Sequence, residues 1–379
     1  MARRQLKFAK SQPTPNKKRR QTAQPFTSSW QFFAICVAIA ASVLYLYTSK
    51  QPRRTKQSAA PPEYDFAATD SSIFTVVDIP GKGKGVVAVR DIKQGEVILR
   101  ERPLFTVPRN INASPSTYIA NQLNKLHDIA RASFLNLSYV NFPAHLDPDS
   151  SPDEVALAIF QTNAVMAGEG IVGIFPRMAR LNHGCSSAFN VVYNWRDEGA
   201  FLIVHALKDI AKGQELLTTY TDSKRPRHER RAYLKEQYGF TCTCSVCSLP
   251  DALSQASDAR LSMISSLYNS FARWGKGDND PEGIDGIRAV GYVREIWDIE
   301  DEEGYWSERG QLASDAAWVA AAHSDASATQ AWARKAIEWY SYEIGADAPQ
   351  VRALRKIAKN PEKHQAWETR AKLEVGGPR

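Results

Sequence analysis

The sequence predicts an α+β protein in which short antiparallel strands are followed by an all-helical C-terminal domain. Between residues 73 and 107, β-branched and apolar runs alternate with Gly, Pro and Asp, a pattern typical of a compact antiparallel sheet. A cysteine cluster at 242–247 closes the strand-rich part. Beyond Pro250 the chain is rich in Ala and Trp with helical periodicity, which indicates a separate helical domain.

Length and charge narrow the class of protein. A chain of 379 residues is expected to form more than one domain. The net charge of +7 comes from the first 60 residues, which hold 12 of the 48 Lys and Arg and none of the acids, so the remaining body carries about −5. Because nucleic-acid-binding domains present a basic face, we expect no direct nucleic-acid binding by the folded body and favour a basic protein partner.

The N-terminal segment predicts a membrane anchor. Residues 1–29 form a basic tail that we expect to be disordered. Residues 30–48 contain no charged side chain and would span roughly 28 Å as a helix, enough to cross a bilayer. Trp30, Tyr45 and Tyr47 lie where interfacial aromatic residues occur. The alternatives are a signal peptide or a buried helix, and residues 49–70 are predicted to be a linker.

The location of the folded body stays open on the sequence, because the basic residues flanking the apolar segment balance on its two sides. We favour a single-pass membrane protein with its folded body in the cytosol. The acid-free start also fits a mitochondrial presequence, and Lys17 to Arg20 also fit a nuclear signal.

The strand-rich body begins near Ile73. Its predicted strands are 73–77, 85–90, 96–100 and 104–107, and the first two are separated by the glycine-rich turn 81–85. Such a turn lets the backbone approach a ligand, or it is simply a hairpin turn. Further strands are predicted at 189–195 and 200–205. Residues 91–95 and 209–213 share the form D-I-x-x-G, which predicts two similar turns.

A helical insertion is predicted between 108 and 175. One amphipathic face contains Leu123, Leu126, Ile129 and Ala130. The sequence from Ser151 to Glu154 reads as a capping box with proline at the first helical position, opening a helix that ends near Met166.

Helices dominate the C-terminal third. A basic helix is predicted at 225–237, bounded by Pro226 and Gly239, with its charges facing solvent. Further helices are predicted at 251–274, 284–301, 307–322 and 326–344, followed by two shorter ones. Successive helix pairs suggest antiparallel packing, but the tetratricopeptide consensus is not met, so we predict only an α-helical domain.

The cysteine spacing predicts a zinc site. Cys242, Cys244 and Cys247 form C-x-C-x-x-C, and tetrahedral zinc needs one further ligand. Because Cys36 lies in the apolar N-terminal run, Cys185 is the remaining candidate, although it could be an ordinary core thiol. A nucleophilic dyad of His183 and Cys185 is disfavoured, since we expect the ring not to reach the thiol.

Three motifs in fixed order allow a comparison with a known family. Asn182-His183-x-Cys185, the run G-x-E-L-x-x-x-Tyr220 and C-x-C-x-x-C, preceded by a G-x-G turn at 83–85, resemble the SET-domain protein lysine methyltransferases over about 73–247. The insertion and the C-terminal helices are most similar to the SET-and-MYND branch, without the MYND zinc finger. The resemblance implies a SET domain at 71–240 with its insertion at 108–175, a post-SET zinc segment at 241–250 and a helical domain at 251–379.

The resemblance also implies a function and a site. It implies S-adenosylmethionine-dependent methyl transfer to a lysine of a protein substrate, by a monomer. Tyr220 would lie at the point of methyl transfer and Tyr238 would line the lysine channel. Cys185, Cys242, Cys244 and Cys247 would hold the post-SET zinc. The residues implied for cofactor binding are Lys84, Gly85, Asn163, Asn182, His183, Tyr220 and Phe240.

Two departures from the family leave alternatives open. Ser186 to Asn190 stand where the family usually has x-Pro-Asn, so the role of Asn190 is undecided, and Thr219 replaces a common Asp. Tyr220 could also be a core aromatic residue. The competing functions are a catalytically inactive, membrane-anchored SET module that acts as a binding scaffold, and a zinc-stabilised interaction protein that recruits partners through its C-terminal helices.

Overall fold

The structure is a computed structural model that describes residues 72–275 and 283–379. The predicted tail at 1–29, membrane helix at 30–48 and linker at 49–70 lie outside the described residues. Among the helices that are described, none is both long and apolar enough to cross a membrane. The described residues group as one compact unit.

Short strands in small sheets form the first part of the described chain. The strands are β1 (Phe74–Ile79), β2 (Gly83–Ala88), β3 (Val97–Glu101), β4 (Thr106–Pro108), β5 (Val165–Met166), β6 (Ile171–Gly173), β7 (Asn182–His183), β8 (Val191–Arg196), β9 (Phe201–Ala206) and β10 (Leu217–Thr218). β1 and β2 make an antiparallel hairpin, β3, β9 and β8 a three-stranded antiparallel sheet, and β4, β6 and β5 another. β7 and β10 pair in parallel.

The two D-I-x-x-G segments pair with each other. Ile92 and Ile210 exchange backbone hydrogen bonds at 2.8 and 2.9 Å. Asp91 accepts from the Lys212 backbone N–H and Asp209 from that of Gln94, both at 2.8 Å. The repeated turns therefore form one reciprocal contact that joins the segment before β3 to the segment before β10.

The insertion is helical, with three corrections to its predicted helices. It contains α1 (Pro115–Leu123), α2 (Asp128–Leu135) and α3 (Pro152–Asn163). The single amphipathic face through 123–130 is wrong, because a separate helix begins at Asp128 and Ile129 is 57% exposed. The predicted capping box is also wrong, since in the described structure the Ser151 side chain makes no capping hydrogen bond. α3 ends before Met166 because Ala164 turns extended, and Met166 lies in β5.

The C-terminal third confirms the helical prediction. The helices are α4 (Arg227–Tyr238), α5 (Asp251–Ala272), α6 (Gly286–Glu303), α7 (Arg309–Ala322), α8 (Ala326–Tyr340) and α9 (Pro349–Lys359), with a π-helical turn at Ser341–Gly345. The core combines many alanines with large residues such as Trp332 and Leu312, and α7 is buried on nearly every side.

The helical domain is fixed to the strand region by side chains at specific points. Asn194 on β8 donates to the Glu343 carbonyl at 2.8 Å, and Arg196 pairs with Asp347 at 3.1 Å. On α4, Arg230 is fully buried and pairs with Asp258 of α5 at 3.1 Å. The prediction that the charges of α4 face solvent is therefore wrong for Arg230.

Candidate active site

Residues 182–190, the threaded segment, run beside residues 215–218 and form the centre of the site. In the parallel pair, Asn182 lies opposite Leu217 and His183 opposite Thr218. The Gly184 N–H continues the pairing by donating to the Thr218 carbonyl at 2.8 Å. A Cβ at Gly184 would lie 2.9 Å from the backbone nitrogen of Phe189. Only glycine therefore lets this segment turn back so closely on itself.

Asn190 fastens this segment to the strand before Tyr220. Its side chain is buried, donates to the Glu215 carbonyl at 3.0 Å and accepts from the Leu217 N–H at 2.8 Å. Its own backbone N–H donates to the Leu217 carbonyl at 2.9 Å. Asn190 thus makes the local backbone-fixing bonds even though the residues before it depart from the family pattern.

The glycine-rich turn lies directly against the threaded segment. The Asn182 side-chain amide donates to the Lys84 carbonyl at 3.2 Å and to the Glu215 carboxylate at 2.9 Å. A Cβ on Gly85 would approach that amide to 2.7 Å. Lys82 closes the group through an ion pair with Glu215 at 2.6 Å. The structure therefore brings Lys84, Gly85 and Asn182 together, as the sequence comparison implied.

His183 connects two parts of the site. Its Nδ1 accepts from the Tyr220 backbone N–H at 3.0 Å, and its Nε2 lies 3.0 Å from the Cys185 Sγ. Because Nδ1 accepts, the proton of the neutral ring is on Nε2, which donates to sulfur. Burial lowers the pKa of His183 to about 4, so the ring is neutral at pH 7. The expectation that the ring does not reach the thiol is wrong.

Aromatic side chains surround this centre. The rings of Tyr220 and Tyr238 lie 4.9 Å apart, and the His183 ring lies 5.4 Å from Tyr220 and 6.3 Å from Phe240. The Tyr220 hydroxyl donates to the Leu181 carbonyl at 2.5 Å. Burial raises the pKa of Tyr238 to about 12 and that of Tyr220 further, so both phenols stay protonated hydrogen-bond donors at neutral pH.

Sequence reasoning missed Tyr193. Burial is the main cause that raises the pKa of Tyr220 and of Tyr238, and the phenol of Tyr193 adds to both, so Tyr193 lies within electrostatic range of the two tyrosines. Tyr193 lies on β8 and alternates with Val191 and Trp195. The signal available in the sequence was this period-two aromatic face in a strand that follows the threaded segment.

Asn163 is not brought into this group. Its side-chain amide donates to the Ser138 carbonyl at 2.7 Å and to the Ile159 carbonyl at 2.8 Å, both within the insertion. Across the described residues it makes no hydrogen bond to Asn182, His183 or Tyr220. Its amide is therefore engaged in fixing the end of α3.

The cysteines predicted to bind zinc lie together. The sulfur atoms of Cys185, Cys242, Cys244 and Cys247 are all within 4.8 Å of one another, and all four residues are buried. The Cys185 Sγ lies 3.6 Å from the Sγ of Cys247 and 4.0 Å from that of Cys242. Tetrahedral zinc with Zn–S bonds of about 2.3 Å separates its sulfurs by about 3.8 Å. The thiols thus fit a four-coordinate zinc ion, and the ligand set is chemically complete.

Two arginines from α4 support the thiol cluster. Arg231 donates to the carbonyls of Cys242 at 3.2 Å and Cys247 at 2.8 Å. Burial lowers the pKa of Arg230, but the charges of Cys185, Cys247 and Asp258 outweigh burial and leave that pKa raised. A buried guanidinium next to these sulfurs offsets the negative charge that four thiolates would bring to a metal.

Comparison with known proteins relates part of the chain to a known domain. The family model described as "SET domain" matches residues 83–221. This part of the chain is similar to the SET domain. This SET match begins at the glycine-rich turn and ends just after Tyr220, so it includes the threaded segment and Cys185. The other cysteines, Tyr238 and Phe240 lie beyond it.

Curated relatives extend the likeness beyond this match. Histone-lysine N-methyltransferase set5 of Schizosaccharomyces pombe is 29% identical over 306 residues, which cover 79% of this chain and 88% of that protein. Human histone-lysine N-methyltransferase SMYD3 is 38% identical over 89 residues, covering 24% of this chain and 20% of the relative. A solved structure, Rubisco LSMT bound to AdoMet, aligns over 76% of this chain and 86% of its own, with 12% identity and a TM-score of 0.33.

Proposed function

We propose that the protein transfers a methyl group from S-adenosylmethionine to a lysine side chain of a protein substrate. The observation that supports this most strongly is the convergence of the glycine turn, Asn182, His183 and Tyr220 around one threaded segment. The relatives are named as lysine methyltransferases, and the site contains the groups that this chemistry needs.

The cofactor side of the site is formed by backbone and aromatic groups. S-adenosylmethionine would supply an electrophilic methyl group that a neutral lysine amine attacks in line. Lys84 and Gly85 offer an accessible backbone, because glycine at 85 allows close approach to Asn182. Phe240 is half-buried and lies beside His183, so one of its faces is available to an adenine ring. We propose that the role of Asn163 is to stabilise the helical insertion.

The lysine side of the site is aromatic. Tyr193, Tyr220 and Tyr238 would surround the target amine and exclude water from it. Desolvation favours the neutral, nucleophilic amine over the ammonium form, and aromatic faces tolerate the cationic product. The bond from the Tyr220 hydroxyl to the Leu181 carbonyl fixes the orientation of that ring, and alignment of the reacting groups lowers the barrier.

We propose that the four cysteines hold a structural zinc ion. A bound ion would cross-link Cys185 of the threaded segment to 242–247. Phe240 and Tyr238 directly precede the second group of ligands and pack against the cysteine cluster. The site would therefore keep these two aromatic rings in place, without any part in the chemistry itself.

Membrane attachment and cytosolic location are proposals that rest on residues 1–60 of the sequence. The described part offers a test of topology. Asn136 begins the acceptor sequence Asn-Leu-Ser and is exposed. A folded domain in the secretory lumen should be glycosylated there, whereas a cytosolic domain should not. A glycosidase-sensitive mass that disappears in Asn136→Gln would contradict the cytosolic proposal.

Labelled S-adenosylmethionine tests the proposed function. The full-length protein in detergent should bind the cofactor and transfer label to protein lysines in a cell extract. Cofactor binding without labelling in several extracts would favour the scaffold function. Retained zinc with no cofactor binding would favour the interaction protein.

A further inference from the structure

Ser186 occupies an unusual position directly after Cys185. It is 1% exposed and adopts φ of +41°, a left-handed conformation that is costly for a residue other than glycine. Its hydroxyl donates to the Glu303 carboxylate at 2.8 Å. Such a conformation persists only where surrounding contacts hold it, and the contact here comes from the last residue of α6.

Glu303 is itself rigidly held. The residue is 7% exposed. One oxygen accepts from Ser257 at 2.6 Å as well as from Ser186, and the other accepts from Arg260 at 2.9 Å. Because both partners on α5 belong to the helical domain, the carboxylate is a fixed anchor rather than a mobile surface group.

A second connection lies one residue further along both segments. Lys208 donates to the carbonyls of Ser187 and Gly304, each at 2.8 Å. Gly304 is left-handed at φ of +71°, and a Cβ there would lie 3.2 Å from the Ser187 side chain. Two consecutive residues of the threaded segment are thus tied to two consecutive residues at the end of α6.

These contacts lie where the sequence departs from the family pattern. The bond to Glu303 needs the Ser186 hydroxyl, and it holds Ser186 in its left-handed conformation. The segment from Asn182 to Asn190 is also the one that contacts the glycine turn and Tyr220. Its shape therefore depends on a helix more than one hundred residues away in the chain.

We propose that Glu303 is a positioning residue: through Ser186, the helical domain holds residues 182–190 in the shape that binds the cofactor. The Ser186–Glu303 bond and the bonds of Lys208 to Ser187 and Gly304 together form what we call the clamp. The inference rests on the proposed function for its cofactor. It assigns the helical domain a direct part in forming the site, because the clamp joins that domain to the residues next to Asn182 and His183.

Ser186→Ala in the full-length protein is the mildest test, since it removes the hydroxyl without adding backbone strain. We expect cofactor affinity, measured by titration calorimetry, to fall about tenfold, since a lost bond to a carboxylate has an effect of this order. Zinc content should be unchanged. Glu303→Gln should weaken binding similarly. The matched control is Glu302→Gln, which removes an exposed partner of the same Arg260 and should bind like the wild type.

Amide hydrogen exchange provides a readout that does not need the cofactor. The N–H groups of Gly184, Ala188 and Asn190 should exchange faster in Ser186→Ala, and the double variant with Glu303→Gln should resemble the more affected single variant. If Ser186→Ala binds the cofactor and exchanges its amide hydrogens as the wild type does, the inference is overturned. If the wild type binds no cofactor, the proposed function fails, and exchange alone decides whether the clamp exists.

Discussion

The backbone N–H of Tyr220 donates a hydrogen bond to Nδ1 of His183 at 3.0 Å. This bond fixes the ring tautomer, so that the opposite nitrogen donates to Cys185. One buried ring therefore ties the strand end that presents Tyr220 to a thiol of the cysteine cluster.

His183→Phe should damage both sides of this link. The replacement keeps a planar ring but leaves the Tyr220 N–H without its acceptor and Cys185 without its donor. Loss of an outer partner typically weakens metal binding about 10–100-fold, so zinc should pass to a competing chelator at lower chelator concentration, and kcat/KM should fall. His228→Phe, an exposed change on α4, serves as control. Unchanged metal competition would show that the imidazole does not support the cluster.

Tyr220→Phe should separate cofactor binding from turnover. The change removes the hydroxyl that bonds to Leu181 but keeps the ring packed against Tyr238. We expect kcat to fall about 10²-fold, as for other lost positioning groups, with little change in cofactor affinity. Tyr233→Phe, on α4 beside Arg225, is a matched control. Equal rates for wild type and Tyr220→Phe would remove Tyr220 from the reaction.

Much of the fold could be predicted because it is recorded in local patterns. Strand runs such as 96–100 and helices such as 326–344 were placed within a few residues, since period and flanking turn residues specify them. The insertion was predicted less well. Apolar spacing through Leu123 and Ile129 resembled one helix, but the tertiary structure breaks it and leaves Ile129 exposed.

The site was predictable where its motifs are contiguous. The NH-x-C and C-x-C-x-x-C motifs predicted the four thiols of the zinc site and the position of the threaded segment. The structure brings these together. Tyr193 and the Ser186–Glu303 bond could not be found in this way, because each depends on which distant elements pack together. The burial of Arg230 was missed for the same reason: charge pattern alone does not reveal a buried partner such as Asp258.

Zinc removal should loosen the region around the cysteines before the rest of the protein. The thiols join residues 57 and 62 positions apart, so losing the metal frees the segment that contains Tyr238 and Phe240. We expect about one zinc per chain, a lower Tm after chelation and loss of metal in Cys244→Ser. Metal analysis and calorimetry measure this. A protein that contains no zinc when purified with zinc present would contradict the site.

Glu343 should make stability depend on pH. Burial raises its pKa to about 8 from the ordinary 4.5. Between those values the folded state holds a proton that the unfolded chain has released, so the free energy of unfolding falls as pH rises, by up to about 1.4 kcal/mol per pH unit. Urea titrations at several pH values from 5 to 8 give the free energy of unfolding at each pH. Plotted against pH, this free energy should have a shallower slope for Glu343→Gln than for wild type. Glu338→Gln, on the surface of α8, should keep the wild-type slope.

The distance along the chain between Ser186 and Glu303 has a consequence during synthesis. The two residues are 117 positions apart, so at about 5–20 residues per second the ribosome adds Glu303 roughly 6–23 s after Ser186. In that interval the nascent chain contains His183 and Tyr220 but not the helix that holds residues 182–190. We expect ribosome-stalled chains ending before α6 to be cleaved by protease near Ser186, whereas the released protein resists.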